Sequence, residues 1–117
     1  MLAFVASDAA SPPPVVPGAR YLALGDSVTF GYQEASVVPP PNYRVASSFP
    51  GYPNQLGAQL RLNVANAACP GETSASLINP AAPSYGCENI AGRGAGYRTL
   101  FPLHVRYRGS QLTYAVS

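Results

Sequence analysis

Residues 21–32 read YLALGDSVTFGY. Residues 21–24 are a short apolar run, long enough for a buried parallel strand, and Gly25-Asp26-Ser27 stops it with three turn-forming residues. Ser27 therefore falls just past the carboxyl end of a strand, the edge at which open α/β sheets bind ligands. A helical turn starting there aims its free backbone N–H groups at whatever meets the Ser27 hydroxyl, which is the beginning of an oxyanion hole. Taken alone, Gly-Asp-Ser is also the composition of an ordinary turn with an Asp or Ser cap.

The flanking residues add to this. GDSVTFGY, residues 25–32, resembles the first sequence block of the SGNH, or GDSL, hydrolases. In that family the serine of Gly-Asp-Ser is the nucleophile, and Gly31 falls where the family has its next glycine. The resemblance implies a three-layer α/β/α, flavodoxin-like fold with a parallel sheet, of which this chain would hold the N-terminal portion. The spacing differs from the GxSxG elbow of the α/β-hydrolases.

With 117 residues, the chain is at most one domain with a modest core, cramped for an enzyme built on a several-stranded sheet. Charged residues make up 10% of it, all seven bases are arginine and the net charge is +2. Scattered arginines make no basic stripe, which argues against nucleic acid as a partner. Eleven glycines and 13 prolines mark a loop-rich but folded chain. Residues 1–18 read as a leader and proline-rich linker ahead of a domain over residues 19–117. Residues 2–6 are the tail of a signal-peptide apolar region, or the whole segment is a disordered leader; the proline-rich stretch after it favours export. No run is long enough to span a membrane.

Residues 33–53 carry three consecutive prolines and two later ones, which exclude a regular helix or central strand. This is a long loop beside the serine. Tyr32, Tyr43, Phe49 and Tyr52 either line an acyl or aromatic binding surface or pin the loop to the body of the protein. From Tyr52 the apolar residues Leu56, Leu60 and Leu62 recur at about one-turn spacing, so a helix runs from Tyr52 to about residues 61–63, with Pro53 in its first turn. Residues 63–69, NVANAAC, read as a second strand. A crossover helix between two strands lays them parallel and brings both carboxyl ends to one edge.

The turn after that strand is Cys69-Pro70-Gly71-Glu72-Thr73-Ser74, a Pro-Gly turn running into a helix capped by Thr or Ser. It resembles the second SGNH block, whose glycine lends its N–H to the oxyanion hole; Gly71 is the match. Absence of a side chain there lets a carbonyl oxygen approach closely. Cys69 and Cys87 are the only cysteines and lack metal-site spacing, with a single histidine in the chain, so no metal is expected. In an exported protein they close a disulfide worth roughly 3 kcal/mol; in a reducing compartment they are two buried thiols.

Gly92, Gly94 and Gly96 lack the GxGxxG spacing of a nucleotide loop. Ser110 caps a last helix that presents Leu112, Ala115 and Val116 on one face. The resemblance implies two further blocks, one with a GxND-like asparagine and one, DxxH, with the histidine base. Neither occurs in these 117 residues, and His104 lies in the wrong context for that base, which makes it a surface or loop histidine. The expectation is therefore an ester hydrolase of esterase or lipase type acting through an acyl-enzyme on Ser27, with Ser27 and Gly71 N–H groups as oxyanion donors. The substrate would be a small-molecule or lipid ester, no cofactor is expected, the complete protein would be a secreted monomer, and the fragment alone would be inactive. A secreted ligand-binding module without turnover is the alternative.

Overall fold

A computed structural model describes residues 11–88 and 94–117. The proposed signal remnant over residues 1–10 and Gly92 lie outside the described residues. The described residues form an α/β unit with a two-stranded parallel sheet and five short helices: β1 (Arg20–Ala23), α1 (Ser27–Phe30), α2 (Tyr52–Leu60), β2 (Asn63–Asn66), α3 (Ser74–Ile78), α4 (Tyr97–Leu100) and α5 (Gln111–Ala115). Among the described residues no helix is long and apolar enough to cross a membrane.

The strand, crossover and parallel strand expected from the sequence are present. β1 pairs with β2 from Arg20 opposite Asn63 to Ala23 opposite Asn66. Past the strand ends the pairing continues as two single bonds, Ala67 N–H to Ala23 O (2.8 Å) and Cys69 N–H to Gly25 O (3.1 Å). β2 is shorter than the seven residues expected because its partner β1 ends at Ala23, opposite Asn66, whose side chain enters the interior. Its Nδ2 donates to Thr29 O (2.8 Å) and Asn54 Oδ1 (2.9 Å), and its Oδ1 accepts from Ala68 N–H (3.1 Å). One buried amide thereby joins α1, α2 and the end of β2, with both of its ends satisfied.

α2 crosses one face of the sheet, but not with the residues whose spacing announced it. Tyr52, Leu56 and Leu60 are exposed, while Pro53 and Gly57 are buried. A Cβ at Gly57 would come within 2.0 Å of Val64 Cγ2, so the missing side chain is what lets α2 lie close to β2. Arg61, at φ 53, ends the helix. On the other sheet face, Arg20, Leu22, Asn63 and Ala65 line a cavity of about 380 Å³ with Tyr114 and Ser117.

The apolar centre is aromatic. Phe30, Phe49 and Ala68 are fully buried, with Tyr32, Tyr43, Tyr97 and Leu103 packed around them. Of the four aromatic residues assigned to the proline-rich loop, Phe49 stacks parallel to Tyr32 (centroids 6.2 Å) and meets Tyr43 edge-on at 5.2 Å. These three pin the loop; Tyr52 is exposed. The loop holds one 3-10 turn, Ala46–Ser48. α4 was not legible in its glycine-rich surroundings, since it is a single turn between Gly96 and Phe101.

Candidate active site

Ser27 is the first residue of α1. Asp26 is the cap, its Oδ1 accepting from Val28 N–H at 3.0 Å. The Asp-Ser pair thus supplies both an ordinary cap and a serine at a helix start. α1 lasts one turn because Gly31, at φ 91, closes it in the left-handed conformation; a Cβ there would lie 2.4 Å from Gly51 N. Ser27 is half-buried, and no described group hydrogen-bonds its Oγ or takes its backbone N–H.

The second turn lies against the first. Cys69 N–H donates to Gly25 O, and Thr73 caps α3 through reciprocal bonds with Ser76, each 3.0 Å. Gly71 has φ 85, a conformation that favours glycine, and a Cβ would fall 2.6 Å from Cys87 N and 2.7 Å from Gly86 N. Its carbonyl accepts from Tyr85 N–H at 2.7 Å, and no described acceptor takes its own N–H. The glycine is therefore required by backbone packing.

That packing partner is the arm joined by the disulfide. Cys69 and Cys87 are bonded, with Cα atoms 5.6 Å apart, and both are fully buried. Between the two turns, Gly25, Asp26, Glu72, Thr73, Ser74 and Leu77 line a cavity of about 240 Å³. The sequence reading missed the residue that connects its walls. Gln111, fully buried at the start of α5, bonds Gly25 and Glu72 with one side chain. Leu112 and Val116, read from the sequence as sharing one helix face, are exposed, and Ser110 is the cap as expected. A polar residue directly after a helix cap was the one available signal.

His104 does not meet Ser27. It sits half-buried in a loop, its Nε2 2.9 Å from Phe30 O and its ring 4.6 Å from that of Phe30. A carbonyl only accepts, so Nε2 carries the proton. His104 thereby satisfies a carbonyl at the end of α1. Among the described residues, no three His, Cys, Asp or Glu side chains are grouped to hold a metal ion.

Comparison with family models, with curated proteins and with solved structures finds no match to this chain.

Proposed function

We propose that this chain carries the nucleophile and one oxyanion turn of a secreted serine ester hydrolase of SGNH type, on a three-layer α/β/α fold. The observation that carries the reading is a serine and a glycine turn that follow the carboxyl ends of two paired parallel strands, where no described group hydrogen-bonds the Ser27 hydroxyl or takes the Gly71 N–H. Parallel pairing supports it, since it brings both carboxyl ends together. The buried disulfide supports export.

In the proposed reaction Ser27 Oγ attacks the acyl carbon of an ester while a base takes its proton. The carbonyl π electrons move onto oxygen, which accepts hydrogen bonds from the Ser27 and Gly71 N–H groups. Collapse expels the alcohol and leaves an acyl-serine, which water cleaves. The leaving alcohol receives the proton that the base took. An imidazole from outside these 117 residues would be that base, because His104 is committed to Phe30.

A fluorophosphonate probe tests this. The chain extended through its gene should label at Ser27 and hydrolyse a short aryl ester, and Ser27→Ala should remove labelling and lower turnover by at least about a thousandfold. The melting temperature should stay put, since no described group hydrogen-bonds Ser27 Oγ and the residue is only half-buried. The 117-residue chain alone should label slowly, as general-base help is worth about a hundred- to ten-thousandfold. Turnover retained by folded Ser27→Ala would sink the reading. The engagement of His104 with Phe30 O favours the second reading, a ligand-binding module; it predicts ester binding by the extended chain without turnover.

A further inference from the structure

Gln111 makes three side-chain hydrogen bonds to the two turns. It is fully buried, 86 residues from the glycine it holds. Its Oε1 accepts from Gly25 N–H at 2.8 Å, and its Nε2 donates to Gly25 O, also at 2.8 Å. The amide thus engages both the donor and the acceptor of one backbone residue, as a neighbouring strand would do. Gly25 ends the β1 extension two residues before Ser27, so fixing its peptide groups fixes the direction in which the chain enters the Asp26-Ser27 turn.

The second Nε2 proton goes across the cavity to Glu72 Oε2 at 2.8 Å. Glu72 follows Gly71 directly, and its other oxygen accepts from Ser76 Oγ in the first turn of α3. Both donors and one of the two acceptor lone pairs of the amide are used. The carboxylate acceptor makes its bond stronger than a neutral one. No apolar residue of the same size would join the two turns, and an acid would lack the donors.

We infer that Gln111 is a positioning residue that sets the spacing of the Ser27 turn and the Gly71 turn, acting through Gly25 on one side and Glu72 on the other. This rests on the hydrolase reading for its catalytic consequence, but its structural content stands apart from it. It also makes α5 a control point: a shift of this helix moves the proposed nucleophile turn and the proposed oxyanion turn relative to each other. A misplacement of about 1 Å at such a site costs about a hundredfold in rate.

The test uses amide hydrogen exchange by NMR on the full chain, with ester kinetics on the gene-extended chain. Gln111→Met should speed exchange at Gly25 and Glu72 by about tenfold or more, with amides of β1 unaffected, and should lower kcat about a hundredfold with little change in KM. Gln111→Glu places a second carboxylate against Glu72, so near neutral pH it should disorder both turns. Adding Glu72→Gln should restore the bond between residues 111 and 72 with a donor from the other side, recovering protection at residue 72 while the bond to Gly25 O stays lost, and lowering the pH until a carboxyl protonates should restore the 111–72 bond in the single variant. Gln111→Met exchange within about twofold of the parent, or failure of both Glu72→Gln and acid to rescue Gln111→Glu, would overturn the inference. If Gln111→Met does not fold, the Gln111→Glu pair decides alone. Exchange that responds as expected in a chain without esterase activity would uphold the clamp and sink only the hydrolase reading.

Discussion

The edge made by residues 25–27 and 69–73 is held by hydrogen bonds to peptide groups, whereas the proline-rich loop over residues 33–50 is held by stacked rings. At the edge, Cys69, Gln111 and Asp26 each satisfy a specific backbone atom. In the loop, order comes from Phe49 packing on Phe30 and from Tyr32 and Tyr43 packing on Phe49, and Tyr43 Oη adds single bonds to Tyr32 Oη (3.2 Å) and Gln33 O (2.8 Å). Hydrogen bonds have direction and fix the position of an atom, which a site for chemistry needs; ring packing is tolerant of angle and fixes a surface. The difference assigns precision to the edge and bulk stability to the loop.

The comparison breaks most visibly at Phe49. It is fully buried among three rings, so Phe49→Ala should cost about 3–5 kcal/mol by lost transfer and an unfilled cavity. Denaturant unfolding reads this directly. A cost below about 1 kcal/mol would mean that the loop does not depend on its rings.

The disulfide gives the converse experiment. Cys69→Ser together with Cys87→Ser should destabilise the chain by roughly 3 kcal/mol and loosen the Gly71 turn, which packs on Gly86 and Cys87. Thiol counting under denaturing, non-reducing conditions should find no free thiol in the parent. Two free thiols would remove the bond from the edge.

The smallest expected effect is in alkali. The Tyr43 hydrogen bond and burial push Tyr32 up to about 12, and burial pushes Tyr97 up to about 12. Burial does the same to Tyr107, whose hydroxyl donates to Ala67 O at 3.0 Å. Unfolded tyrosines ionise near 10, so between about pH 10 and 12 the folded chain holds more protons than the unfolded one. The contribution of these tyrosines to stability is therefore flat below about pH 10 and falls as pH rises towards 12. Tyrosinate absorbance should lag behind that of free tyrosine until the rings separate, and a chain whose tyrosines all titrate near 10 while folded would contradict the packing.

Much of the edge was legible in advance because its signals are local. An apolar run, a Gly-Asp-Ser stop, a crossover helix and a second small-residue run suffice for two parallel strands with their carboxyl ends together, and Thr73 and Ser110 announce their helices by type and place. Period was informative about helix and uninformative about face. α2 buries Pro53 and Gly57 instead of Tyr52, Leu56 and Leu60, because close approach to Val64 requires the smallest residue and not the most apolar one.

The sequence by itself determined where the chain turns, where Ser27 and Gly71 fall along it, and that Cys69 and Cys87 are its only candidates for a disulfide. Those follow from backbone preferences and from counting, which act over a few residues. Only the tertiary structure decided that Gln111 spans Gly25 and Glu72, that Asn66 ties Thr29 to Asn54, and that His104 serves Phe30 and not Ser27. Each of these joins residues far apart in the chain, and a buried amide or imidazole is placed by the partners that satisfy it, which no local pattern names.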